Sequence, residues 1–197
     1  MTVAKSRGRR GGDARTNEAI VAVARAQFAQ RGYARTTIRS VATEAGVDPA
    51  LVMYFHGNKR ELFLAAAAIP FDTAALVDEL VAGDRGTIGP RFARYLLDTL
   101  ETEPARSVFL ARVRGAATEP EAAALVRDRI TQEVVGPLVA RLGVDQPALR
   151  AGLTSAQLFG WIVTRHLVEI EALTALSNAE ATAFLGPLLQ RFLVEPL

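Results

Sequence analysis

The sequence predicts an all-α protein of about nine helices, with a small amino-terminal helix-turn-helix domain and a larger helical domain behind it. Three observations carry that expectation. Apolar residues recur at the 3.6-residue helical period along nearly the whole chain, and the strict alternation of a half-buried strand is almost absent. Gly, Pro and short Asp/Asn/Ser/Thr clusters divide these periodic stretches at regular intervals. The positive charge is gathered at one end. Residues 1–60 carry 11 Arg and Lys against 4 Asp and Glu, a balance of +7, whereas residues 61–197 carry 12 against 17, a balance of −5. A basic third on a mildly acidic remainder implies two tasks, one of them meeting a polyanion.

The elements follow in order. "MTVAKSRGRRGG" (residues 1–12) reads as a flexible basic arm whose Lys5, Arg7, Arg9 and Arg10 could reach DNA or remain a solvated tail. The first helix is expected from Asp13 or Ala14 to Gln30, with Ile20, Val21, Ala24 and Phe28 on one face and Gly32 as its stop. The second begins after Thr37, a good N-cap, and ends at Gly46. The third begins after Asp48, with Pro49 at its first position. The fourth begins after Asn58 and runs to Pro70. Further helical patterns cover roughly 72–82, 88–102, 105–117, 120–142, 147–171 and 178–193. Gly136-Pro137 is expected to kink the 120–142 segment without ending it.

Several classes are excluded or disfavoured by composition. Half of the residues are hydrophobic, enough for a core. No apolar run reaches the ~18–20 residues of a membrane span, and no apolar stretch follows the basic start as in a signal peptide. A cytoplasmic protein without membrane association is expected. There is no cysteine, so no thiolate metal site and no disulfide framework. The two histidines, His56 and His166, lie more than a hundred residues apart. No nucleophile motif, phosphate-cradling glycine loop or metal-spaced pair is present, so no enzyme, cofactor or metal is expected.

The informative stretch is "EAGVDPALVMYFHGNK", residues 44–59. Gly46 supplies a left-handed backbone that ends one helix, and Asp48-Pro49 starts another within three residues. Val47 can staple onto Val52. On the new helix Val52 and Phe55 face inward, Ala50 lies nearly opposite, and Met53 and Tyr54 flank the outer face. A small, uncharged outer face lets a helix backbone approach base edges in a major groove about 12 Å wide. This is helix-turn-helix logic, although the same shape also occurs as a plain helical hairpin.

The segment "RTNEAIVAVARAQFAQRGYARTTIRSVATEAGVDPALVMYFHGNKRELF" resembles the DNA-binding domain of TetR-type transcriptional regulators. The resemblance rests on "AQFAQRGYARTTIRSVATEAGV", then a short helix, an aromatic pair and "NKREL", and it covers about residues 15–64. It implies a homodimer on a partly palindromic double-stranded DNA operator, usually a repressor released by a small molecule. By position it implies that Thr37 and Arg39 touch phosphates or base edges. Pro49, Ala50, Leu51 and Tyr54 match the recognition face, and Lys59 the phosphate contact opening helix four. Met53 stands where many members have a tyrosine, and Leu51 where threonine is common. The DNA-binding domain is therefore taken as residues 13–60, and residues 61–197 as the effector-binding and dimerisation domain.

In that larger part, the last two long helices offer an interface between copies: Leu153, Ala156, Gly160, Val163 and Leu167 on one, Phe184, Leu188 and Phe192 on the other. Small residues at Ala156 and Gly160 permit close helix approach. The alternative is that both stripes serve the monomer's own core. Aromatic and polar residues within apolar helices, namely Phe92, Tyr95, Phe109, Arg112, Trp161 and His166, are the candidate ligand contacts, and aliphatic surroundings favour a lipophilic effector. A helical adaptor or lipid carrier is the rival reading; it leaves the +7 amino-terminal third without a purpose.

Overall fold

The computed structural model describes residues 7–69, 71–118 and 120–197, and the side chains of these except 7–11, 118, 121 and 129–132. Twelve α-helices and no strand occur among the described residues. They are α1 (Arg7–Arg35), α2 (Ile38–Ala45), α3 (Pro49–His56), α4 (Lys59–Ala66), α5 (Thr73–Ala82), α6 (Ile88–Leu100), α7 (Ala105–Thr118), α8 (Pro120–Gln132), α9 (Val135–Leu142), α10 (Pro147–His166), α11 (Glu171–Thr174) and α12 (Asn178–Val194), with a 3-10 turn at Arg85–Thr87.

Five differences from the expected elements occur. Helix α1 begins at Arg7, so residues 7–12 continue a helix; residues 1–6, with Lys5, lie outside the described residues. Gly32 breaks the same helix at φ 76° and leaves one last turn to Arg35. The 120–142 segment is two helices. Pro137 has no N–H to offer the carbonyl of Glu133, and Val134 takes a non-helical conformation as the new N-cap. Helix α10 ends at His166, not near 171: the amides of Leu167 and Val168 both turn back to the Val163 carbonyl, and Glu169 adopts φ 56°. The chain then makes the single-turn α11. Helix α4 likewise stops at Ala66, ahead of Pro70.

Two apolar cores result. The first gathers Ile20, Ala24, Phe28 and Tyr33 of α1, Val41 and Ala42 of α2, Val52 of α3 and Leu62, Phe63 and Ala66 of α4. Phe28, Tyr33 and Phe63 pack ring to ring, with centroids 5.1–5.9 Å apart. Ala111 of α7 and Ala122, Leu125 and Val126 of α8 complete this core, so the front of the molecule is built on the helices behind it. The second core joins α5, α6, α9, α10 and α12.

Helices α6 and α12 approach unusually closely, and Gly89 is the reason. A Cβ added there would lie 2.3 Å from the Gln190 backbone nitrogen and 2.4 Å from the Gly186 oxygen. The Gly89 amide donates to Gln190 Oε1 at 2.8 Å, and Gln190 Nε2 donates to the Arg85 carbonyl at 2.9 Å. Arg150, buried in α10, closes the other end by donating to the Phe192 carbonyl and pairing with Asp145 at 2.5 Å.

Candidate nucleic-acid interface and effector cavity

The helix-turn-helix is assembled by the caps that the sequence suggested. Thr37 Oγ1 accepts from the Ser40 amide at 3.0 Å, and Ser40 Oγ accepts from the Thr37 amide at 3.1 Å, a closed capping box that starts α2. Gly46 closes α2 at φ 67°, and the Val47 amide reaches back to the Ala42 carbonyl at 3.0 Å. Left-handed backbone of this kind costs a residue with a Cβ roughly 1 kcal/mol or more, which glycine avoids. Asp48 Oδ1 then accepts from the Ala50 amide at 2.7 Å and starts α3 with Pro49 in its first turn. Buried Gln27 of α1 fixes the orientation of α2, donating to the Ser40 carbonyl and to Glu44 Oε2 and accepting from Ser40 Oγ.

Around this frame Val52 is fully buried, while Pro49, Ala50, Met53 and Tyr54 are exposed and Leu51 is half-buried. Tyr54 is 78% exposed, the most of any large hydrophobic residue among those described. Thr37 and Arg39 are exposed at the start of α2. Lys59 at the start of α4 is half-buried. Its Nζ donates to the Ala34 carbonyl at 3.2 Å and sits 4.3 Å from the Tyr33 ring centroid. The amino termini of α2 and α4 lie at this exposed surface, where the helix dipoles favour anions. In the last turn of α3, burial pushes the His56 imidazole below its usual range.

A second site lies in the larger domain. A hollow with a cavity volume of about 60 Å³, partly open to solvent, is walled by the aromatic residues Phe71, Phe92, Tyr95, Phe109 and Phe159, with aliphatic residues between them. Burial raises the Tyr95 hydroxyl above its usual range; a hydrogen bond with Thr99 opposes this, and the Glu79 and Asp72 charges add to it. Among the described residues, the charged walls of the hollow are Arg112 and Glu133, which pair with each other at 2.6 Å. Arg112 also donates through Nε and Nη2 to the Ala67 carbonyl at 2.8 and 2.6 Å, where α4 ends. Arg25 of α1 donates to the neighbouring Ala66 carbonyl at 3.1 Å. The last carbonyls of α4 are thus held by two guanidinium groups, one of them in the cavity wall.

Of the six candidate ligand contacts, Phe92, Tyr95, Phe109 and Arg112 line this cavity, whereas Trp161 and His166 do not. The 3.6 period identifies an inward face but not which part of it is left unfilled by a neighbour. Glu133, Thr99, Ser155 and Phe159 also line the cavity and lie outside the sequence expectation. Ser155 had a legible signal, a hydroxyl sharing the helical face of apolar Leu158 and Ile162. Among the candidate interface positions, Ala156, Gly160, Phe184 and Leu188 are exposed. Leu153 and Phe192 are half-buried, and Val163 and Leu167 pack partly on the second core. No described helix is long and apolar enough to cross a membrane.

Comparison with known proteins agrees with this layout. Residues 20–66 match the model of the tetR family of bacterial regulatory proteins, and residues 86–193, more than half of the chain, match the tetracyclin repressor-like C-terminal domain. Among solved structures, a TetR-family regulator from Streptomyces coelicolor is similar at 28% identity and TM-score 0.63, covering 92% of this chain and 96% of its own. NalD of Pseudomonas aeruginosa, a secondary repressor of a multidrug efflux pump, is similar in fold at 19% identity and TM-score 0.68, covering 95% and 100%. SmeT, solved with triclosan, is similar in fold at 21% identity and TM-score 0.62, covering 87% and 90%. No curated protein matches the chain significantly. With both domain models matched in order over a helix-turn-helix and a helical cavity domain, the chain belongs to the TetR family of bacterial DNA-binding transcriptional regulators.

Proposed function

We propose that this regulator is a cytoplasmic homodimeric repressor that binds a partly palindromic operator and is released from it by a small lipophilic effector. The observation that carries the DNA contact is the outer face of α3. Tyr54 and Met53 are exposed beside the small Pro49-Ala50 start, and no charge interrupts the face. Thr37, Arg39 and Lys59 flank it with phosphate-binding chemistry, as the resemblance implies. One such short helix binds weakly, so a pair spaced by about 34 Å is mechanically expected.

The exposed apolar positions of α10 and α12 support that pairing. Phe184 and Leu188, one turn apart on α12, are 63% and 45% exposed. A Cβ added at Gly160 of α10 meets no atom within 4 Å. Two copies packing these helices across a two-fold axis would make a four-helix interface.

Release follows from α4, which spans both sites. Lys59 stands at its DNA end, and Ala66 and Ala67 at its other end are held by Arg25 and by the cavity-lining Arg112. An effector that favours one position of this end changes the spacing of the two α3 helices, and operator affinity falls through differential binding.

The test begins with selection of genomic fragments by the purified protein, followed by titration of the selected site with salt. Affinity should drop steeply as salt rises, because phosphate contacts release counterions. Tyr54→Ala should weaken the selected site by at least tenfold without changing the fold. No enriched fragment, or binding indifferent to salt, would overturn the repressor reading and favour an adaptor.

A further inference from the structure

The effector cavity has a neighbour. A surface groove between α7, α8 and α10 is lined by Ala116, Ala123, Val126, Ala148, Ala151 and Gly152, small or aliphatic residues that leave it shallow-walled and apolar. Ser155 and Phe159 belong to the walls of both the cavity and the groove. The two hollows are therefore separated by little more than these two side chains.

Ser155 is the unusual member. It is 6% exposed, and its hydroxyl oxygen is buried without a hydrogen-bond partner. Leaving a buried hydroxyl unsatisfied is costly, and a serine inside a helix normally finds the carbonyl one turn back. Arg112 and Glu133 are the charged residues of the cavity wall, and their charges cancel at 2.6 Å. Among the described wall residues no counter-charge is left over for an ionised guest, whereas a neutral hydrogen-bonding group would meet the Ser155 hydroxyl. Arg127, the one charge lining the groove among the described residues, is exposed to water.

We propose that the cavity and the groove are one effector site with Ser155 and Phe159 at its junction. The site takes an uncharged, elongated lipophile whose hydroxyl or carbonyl meets Ser155 and whose apolar part extends past Phe159 into the groove. This rests on the effector-released repressor reading and specifies the chemistry of its ligand.

The probes are straight-chain alcohols, measured by calorimetry on the full-length protein. Affinity should rise about fourfold per methylene from 1-hexanol to 1-decanol. Octanoate and octylammonium should bind at least tenfold more weakly than 1-octanol. Ser155→Ala should cost 1-octanol about three- to tenfold and leave 1-chlorooctane unchanged. Gly152→Leu, at a site where an added Cβ meets nothing within 4 Å, should fill the groove and flatten the chain-length dependence without unfolding the protein.

The proposal is overturned if an ionised probe binds as well as 1-octanol, or if Ser155→Ala weakens 1-octanol and 1-chlorooctane equally. It is equally overturned if Gly152→Leu alters only the oligomeric state, which would assign the groove to a second copy of the chain. Operator affinity measured on the same samples separates the two readings. Intact DNA binding with no alcohol binding sinks only the ligand chemistry, and lost DNA binding in the unliganded protein sinks the regulator.

Discussion

Replacing Arg112 by Met tests whether the cavity wall and α4 are mechanically joined. The wild-type side chain is 4% exposed and its partner Glu133 is 13% exposed, so solvent screens their contact little. Methionine keeps an apolar stem of similar reach but removes the charge opposite Glu133 and both donors to the Ala67 carbonyl. Removing one half of a buried ion pair costs about 3–5 kcal/mol. With a urea dependence near ~2 kcal/mol/M, the unfolding midpoint should fall by roughly 1.5–2.5 M at fixed protein concentration. Arg112→Met/Glu133→Leu, which removes both charges, should recover most of that loss, and the double-mutant cycle should return a coupling of a few kcal/mol. Operator affinity should fall in the single variant even without effector, because the end of α4 is no longer held. A midpoint shift below about 0.5 M, or a double variant as unstable as the single one, would refute the strut assignment. Arg112 would then be a ligand contact alone.

Gly89→Ala and Gly152→Ala should have opposite signs. The first forces α12 away from α6 and should lose about 1–3 kcal/mol despite the better helix propensity of alanine; the second adds a Cβ in open space and should gain about 0.5–1 kcal/mol, both read by urea unfolding. Phe184→Glu should convert a dimer to a folded monomer by light scattering, since the side chain contributes little to its own subunit's core. A variant that remains dimeric would move the interface elsewhere. Burial holds the His56 and His166 imidazoles below their usual range, and at His166 the Arg165 and Arg106 charges add to this while Glu101 opposes it. The folded state therefore favours neutral imidazole, and this stability is complete above about pH 6.5 and lost as pH falls through the depressed folded values. The unfolding midpoint should decline from about pH 7 to pH 5, less so in a His56→Gln/His166→Gln variant, and a midpoint rising on acidification would reverse the assigned sign.

The DNA-facing half was legible because its determinants are local. Thr37, Gly46, Asp48 and Asn58 act within three or four residues of themselves, through capping bonds and a left-handed turn, so a reader of the sequence can place α2, α3 and the start of α4. Helical period likewise put Ile20, Phe28, Val41 and Val52 inside, where they are fully buried. Errors arose where two local signals competed. Pro137 forces a new helix start at Val134 within a continuous apolar pattern, and Glu169, with no glycine to mark it, turns the chain after α10.

The candidate effector site depends on contacts that no local pattern encodes. Arg112, Ala67 and Glu133 are 21 to 66 residues apart in sequence, and their meeting depends on α7 crossing behind α4. Sequence showed that Phe92, Tyr95 and Phe109 face inward, but only packing decided that the space between them stays open while Trp161 lies outside it. A helix's own residues set where it starts, stops and which side is apolar. What that side meets, and whether the meeting is tight as at Gly89 or hollow as at Ser155, is fixed by the shapes of several helices at once.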